Sequence, residues 1–201
     1  MDLLVDSLDT PLGTVSLACD GQALVALEFC SPAGLASRLR ARFGPGIAIR
    51  PARDPLGLTG RVRDWFAGDL QALAEVPVDG GGTPFQRRVW AALRRIPAGE
   101  TESYSALASR LGNPGAARAV GLANARNPVA IAVPCHRVVG ADGSLTGYAG
   151  GLPRKRWLLE HERRAARPAG TLAGGEPERA PALRARAYPQ PPPYSVRSER
   201  T

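Results

Sequence analysis

A chain of 201 residues with 44% hydrophobic content can bury a core, as one domain of ordinary size or two small ones. Its three scattered cysteines, Cys19, Cys30 and Cys135, exclude a disulfide framework, and with only His136 and His161 to join them they form no structural zinc pattern. The net charge of +8 points to a polyanionic partner, although Arg163 to Thr201, with eight arginines and three glutamates, supply +5 of it and residues 1 to 162 only +3. Met1 to Asp6 carries no basic leader, and acids or prolines interrupt every apolar run short of a membrane span. The expectation is a soluble protein of the reducing cytoplasm with no membrane partner.

Residues 11 to 30 predict a β-hairpin: Thr14 to Ala18 alternates, Asp20-Gly21 turns, and Ala23 to Phe29 returns. Leu35, Leu39 and Phe43 share a face of a helix over 33–43. Leu58, Val62, Trp65 and Phe66 do the same over 55–67, with Gly44-Pro45-Gly46 as the breaker between. Residues 1–78 therefore read as a small α+β supporting domain, and Asp79-Gly80-Gly81-Gly82 as a linker. The second domain, 83–164, is mainly helical. Thr83 caps a helix opening at Pro84, whose stripe is Phe85, Val89, Trp90, Leu93 and Ile96. Two short helices, Ser103 to Leu111 and Gly115 to Ala123, flank Gly112-Asn113-Pro114 as in a helix-turn-helix. Val129 to Val133 is expected as a buried strand that delivers Cys135; a glycine-rich loop, Gly140 to Gly151, and a helix over Arg154 to Glu162 follow. From Arg163 the chain has seven prolines and little periodicity, which predicts a disordered tail, bounded at 165–201. The fold class is thus α+β with a helical, helix-turn-helix second half.

Chemistry concentrates at Pro134-Cys135-His136-Arg137-Val138, where a thiol and an imidazole are neighbours. A thiolate is a soft nucleophile, but a free cysteine is only a few per cent ionised near neutral pH, so something must take its proton. On an extended segment adjacent side chains face opposite ways, which places a bridging water between Cys135 and His136.

Several motifs lie in order over residues 82 to 162: Gly82-Thr83-Pro84-Phe85-Gln86, Ile96 to Thr101, Ser103-Tyr104, Ala116-Ala117-Arg118-Ala119-Val120-Gly121, Asn127-Pro128, Val133 to Gly140, Gly147 to Gly151, and Trp157 to Glu162. In these the chain resembles the O6-alkylguanine-DNA alkyltransferases, or methylated-DNA–protein-cysteine methyltransferases, of the stand-alone bacterial type. The resemblance implies that Cys135 removes the alkyl group of O6-alkylguanine in double-stranded DNA in one irreversible displacement, with no cofactor or metal, as a monomer. It implies a relay in which Cys135 passes its proton through water to His136, which Glu162 holds. Asn127 matches the hinge asparagine; an ordinary Asx-turn before proline is its alternative. Tyr104 matches a phenol that hydrogen-bonds the flipped base, and Val138, Tyr148 and Ala149 match the substrate pocket. Many relatives have serine where Ala149 stands, so here only its backbone N–H could serve the guanine oxygen. Arg118 matches the arginine that replaces the extruded base, on a DNA-facing helix whose Ala116, Ala117 and Gly121 permit close approach in the minor groove. O4-methylthymine is an additional candidate substrate.

Three other readings stay open on sequence: an alkylguanine-binding module, against which Cys135 argues; a helix-turn-helix regulator, for which no effector domain or dimerisation heptad is visible; and a thiol hydrolase, whose histidine normally lies far from its cysteine in sequence.

Overall fold

The computed structural model describes residues 1–166; the expected disorder of the tail falls on 167–201, outside the described residues. Four strands, β1 (Asp2–Thr10), β2 (Gly13–Cys19), β3 (Leu24–Glu28) and β4 (Ala48–Pro51), form one sheet in the order β3-β2-β1-β4. The expected hairpin is β2–β3; β1 pairs antiparallel with β2, Ser7 opposite Ser16, and β4 adds in parallel to β1. β2 and β3 are buried on both faces. On one face α1 (Pro32–Phe43) brings Leu35 and Leu39 against Leu3, Ala18 and Val25. On the other, Val15, Leu17, Leu24 and Leu27 join a core that continues through Trp65, Val89, Trp90, Leu93, Val120 and Leu158.

Local chemistry explains the helix starts. Ser31 accepts from Gly34 N to open α1. Thr83 and Gln86 form a reciprocal capping box at α3 (Pro84–Leu93), which satisfies two otherwise unpaired amides. Between them lies α2 (Leu58–Ala67), entered through a 3-10 turn at Pro55–Gly57, with Leu58, Val62 and Trp65 buried and Phe66 half-buried. The helix-turn-helix is α4 (Tyr104–Arg110) and α5 (Ala117–Ala125), the latter led in by a 3-10 turn at Pro114–Ala116. The final helix, α6 (Leu152–Ala165), runs through Arg163 and Arg164, so the first residues assigned to the tail are helical. No helix among the described residues is long and apolar enough to cross a membrane.

One expected element is overturned. Val129 to Val133 is a compact turn rather than a strand: Ile131 has φ +69°, and Val133 N donates to Val129 O at 2.9 Å. Only Val129 makes a bridge, to Leu27 of β3. That contact ties the halves together, because Leu27 N donates to Pro128 O at 2.9 Å and Ala130 N to Leu27 O at 2.8 Å. Farther along the same edge, Leu24 exchanges bonds with Pro77 and Asp79 at 2.9 and 3.0 Å. The β3 edge of the sheet is thereby covered, and the turn before Cys135 hangs from it.

The glycine stretch after Asp79 is packed. A Cβ on Gly82, whose φ is +79°, would lie 2.7 Å from the Trp90 ring, and Gly80 O accepts from the Arg42 guanidinium. Gly112, φ +82°, has open space around it. Gly112→Ala should therefore cost the backbone term alone, about 1 kcal/mol. Gly82→Ala should cost at least about twice that, since Trp90 must also shift. Urea midpoints of the two variants check the order.

Candidate active site

Three short pieces of backbone bring the site together. After the turn, Cys135–Arg137 form a 3-10 turn and Val138–Val139 a two-residue strand, β6. The extended geometry expected at Cys135 and His136 is thus corrected, but side chains one residue apart on a 3-10 turn still diverge by a third of a turn. β6 pairs in parallel with β5 (Glu102–Ser103), Ser103 opposite Val139, and Ser103 also caps α4 by accepting from Ala106 N at 3.1 Å. This pairing delivers Tyr104 to the side of the Cys135 turn. Asn127 Oδ1 accepts from Val129 N at 3.0 Å, an Asx-turn, while Nδ2 donates to Val133 O at 2.8 Å and braces the turn.

Behind the cysteine lies a buried charge cluster. His136 and Glu162 are both 0% exposed. His136 Nε2 lies 2.9 Å from Glu162 Oε1, and an ionised carboxylate can only accept, so Nε2 carries the proton and Nδ1 the lone pair. Nδ1 is buried with no hydrogen-bond partner. Glu162 also takes Arg137 Nη2 at 2.7 Å, Arg137 Nε at 3.0 Å and the backbone N–H of Gly99 at 3.1 Å. Arg137 Nη1 donates to Ile96 O. Burial alone would raise the Glu162 pKa, but the bond and charge of His136, then those of Arg137, outweigh it and hold the carboxyl at about 2. Burial pulls His136 below its ordinary value against the pull of Glu162, so the ring rests neutral. Burial likewise raises the Cys135 thiol, with the Asn127 side chain and the Lys155 charge opposing it. At rest, then, a neutral thiol sits beside a neutral imidazole with a free acceptor nitrogen.

The remaining expected residues surround this centre on two sides. Tyr104 is half-buried, and burial raises its hydroxyl pKa, the Thr146 and Asn124 side chains partly opposing. Val138 is fully buried; Tyr148 buries its hydroxyl, unpartnered, where the charge of a Cys135 thiolate would be felt. Ala149 is exposed. On α5 and the turn before it, Arg118 is exposed and Ala116 and Ala117 are half-buried, while Gly121 packs on the Tyr104 ring. Cys135 keeps 6% of its surface.

Sequence reasoning assigned no role to three further residues. Arg137 stood inside the quoted motif, yet nothing in sequence shows that its guanidinium is buried on Glu162. Lys155 did carry a signal, as the sole lysine among 26 basic residues. It is 0% exposed, donates from Nζ to Val138 O at 2.6 Å and Thr146 O at 2.7 Å, and so clips the 140–151 loop to β6. Its burial lowers its pKa to about 8, the Cys135 charge opposing. Asn124, on the inner face of α5, had no sequence signal. Among the described residues no three His, Cys, Asp or Glu side chains gather as metal ligands.

Comparison with known proteins agrees with this arrangement. Residues 84–164 match the family model for the 6-O-methylguanine DNA methyltransferase DNA binding domain. The methylated-DNA–protein-cysteine methyltransferase of Salmonella typhimurium is 46% identical over 170 residues, 80% of this chain and 95% of its own. That of Mycobacterium tuberculosis is 49% identical over 160 residues, 80% of this chain and 92% of its own. The crystal structure of Mycobacterium tuberculosis OGT in complex with DNA superposes with a TM-score of 0.68 at 44% identity, covering 83% of this chain and 95% of that one. With such identity running along nearly the whole length of these relatives, the chain belongs to the methylated-DNA–protein-cysteine methyltransferase family.

Proposed function

We propose that this chain acts in the cytoplasm on double-stranded DNA, flips out O6-alkylguanine, and takes the alkyl group onto Cys135 once and irreversibly. The observation that carries the reading is the state of the two His136 ring nitrogens: Nε2 held by Glu162 at 2.9 Å, and Nδ1 left as a buried acceptor on the residue that follows the cysteine.

The steps balance as follows. The Cys135 proton passes through a water to His136 Nδ1, and ionised Glu162 stabilises the imidazolium that forms. Arg137 opposes that charge, so the imidazolium lasts only while the thiolate, and after transfer the guanine anion, offsets it. Sγ attacks the alkyl carbon, the C–O bond breaks, and its electron pair stays on guanine O6. In this reading Tyr104 donates a hydrogen bond to the leaving base, Val138 and Tyr148 wall the alkyl group, and the Ala149 backbone N–H donates to the oxygen. The guanine anion takes up a proton at N1 and the imidazolium gives up the one it took from the thiol, so the products are a thioether, unmodified guanine and a neutral His136. A thioether has no hydrolysable bond, so each molecule acts once, as a monomer and without a cofactor. Arg118, exposed on α5, fills the stack the base leaves, and Ala116, Ala117 and Gly121 let the helix approach the minor groove. O4-methylthymine, which also carries its alkyl group on an exocyclic oxygen, is a second substrate to test.

Three outcomes are expected. Intact-protein mass spectrometry after incubation with O6-methylguanine duplex should show one methyl gained on Cys135 and none on Cys135→Ala; no gain, or modification of Cys19 or Cys30, removes the assignment. Arg118→Ala should slow transfer from duplex by on the order of tenfold, with a smaller loss on free alkylguanine; equal losses deny it a part in flipping. Glu162→Gln leaves Arg137 buried without its counter-charge and should lower stability by about 3 kcal/mol near neutral pH. The sign of its pH dependence follows from a carboxyl held at about 2 in the fold and near 4.5 when unfolded. Its stabilisation is complete above the unfolded value and lost as pH falls through the folded one. Urea unfolding should therefore show the wild-type advantage steady at pH 7 and 5 and narrowing below 4.5.

A further inference from the structure

α5 has two unlike faces. Val120, Ala123 and Asn124 are buried against the core, whereas Arg118, Ala119, Leu122, Ala125 and Arg126 are exposed. Leu122 is 54% exposed, one of four large hydrophobic side chains left in solvent among the described residues and the only one on the helix-turn-helix. The helix carries no acidic residue, and neither Arg118 nor Arg126 forms an ion pair among the described residues.

Spacing sets these groups in a row. Arg118, Leu122 and Arg126 stand four residues apart, so an apolar branch lies between two guanidiniums on one side of the chain's second helix-turn-helix element. Ala119 and Ala125 fill the positions beside it with methyl groups. Such a face suits a polyanion with phosphates along its edges and apolar space at its floor, which is the minor groove of a duplex. A protein interface calls for a far larger apolar patch than one leucine.

We infer that Leu122 is a minor-groove wedge that makes alkyl transfer depend on the base pairs flanking the lesion, favouring A·T over G·C, an inference that rests on the repair reading above. Where alanines set the distance between helix and groove, Leu122 projects past their methyl groups and must enter the groove or hold the helix off. Residues four apart are separated by about 6 Å along a helix axis, one or two base-pair steps of duplex. With Arg118 in the gap left by the base, Leu122 therefore lies against the edge of a neighbouring pair. In the minor groove a pair containing guanine differs from an A·T pair by the 2-amino group, which stands out from the floor. That group occupies the space the leucine needs, and under an apolar branch it loses water without gaining an acceptor. A·T pairs carry no such group and leave the space open.

The test measures single-turnover transfer from duplexes in which O6-methylguanine is fixed and the pair at each of the two positions on either side is A·T, G·C or hypoxanthine·C. The last is a G·C pair without its 2-amino group. At one of these positions wild type should react on the order of fivefold faster with A·T or hypoxanthine·C than with G·C. Leu122→Ala should bring the three to one rate there while transferring from free O6-methylguanine as wild type does; pairing and stacking differences among the duplexes act equally on both proteins. The substitution removes no buried contact and improves helix propensity, so its Tm should not fall. Four results overturn the inference and leave the repair reading intact: no such position in wild type, hypoxanthine·C behaving as G·C does, a preference that persists in Leu122→Ala, or an equal slowing of duplex and free base in that variant. A wild-type protein that takes methyl from no duplex overturns both.

Discussion

One carboxylate organises the site. Glu162 is fully buried, is carried in by α6, and accepts from two other chain segments: His136 and Arg137 on the turn that holds Cys135, and Gly99 on the turn after α3. A buried charge is tolerable only when its lone pairs are filled, and four donors fill them. Such a cluster is weak evidence of stability, yet it fixes geometry strongly, because any displacement leaves an unpaired charge in a low-dielectric interior. The cluster also sets the histidine tautomer. With Nε2–H committed to the carboxylate, the lone pair can only be on Nδ1, the one arrangement in which a neutral imidazole can take a thiol proton.

The N-terminal half contributes support that its sequence does not advertise. The β3 edge hydrogen-bonds the 77–79 segment and the 128–130 turn, so the backbone leading to Cys135 is effectively an extra strand position of the N-terminal sheet. Trp65 of α2 stands edge-on to the His136 ring with centroids 6.5 Å apart, and its carbonyl lies 2.9 Å from His161 Nε2, one residue before Glu162. From the other side Arg154 reaches back to Leu12 O at 3.1 Å. Both ends of the nucleophile-bearing segment are thus referenced to one continuous core rather than to a separate catalytic lobe.

Legibility in the sequence followed the range of the interactions. Helices with local signals were readable: the Thr83-Pro84 start, the Leu58, Val62, Trp65 stripe and the glycine between α4 and α5 each state their structure within a few residues. Cys135 and His136 stood out as a thiol beside an imidazole, whereas Glu162 was tied to them only because motifs spaced over 80 residues resembled a family. Val129 to Val133 failed because five apolar residues in a row satisfy a buried strand and a buried turn equally, and the deciding facts are the Asn127 brace and a positive φ at Ile131. β4 was missed since its pairing partner, β1, lies 46 residues away, and β1, although it forms a hairpin with β2, is interrupted by Asp6 and Asp9. Arg137, Lys155 and Asn124 escaped for a common reason: a polar side chain declares its burial only through partners brought in by the fold.

The electrostatics of the three cysteines explain why chemistry would fall on one of them. Cys19 is fully buried within the sheet. Cys30 is pushed to about 11, first by burial and then by the Glu28 charge, so it stays protonated. Burial raises Cys135 as well, and a permanently ionised sulfur is not what this pocket favours. What separates Cys135 from the others is a neighbouring base with a vacant lone pair, a lysine charge nearby, and an asparagine that steadies its turn. On the proposed reading the nucleophile would be generated on demand, when an alkyl carbon is in place to consume it, and a thiol kept neutral until then is shielded from oxidants and stray electrophiles that react with thiolates.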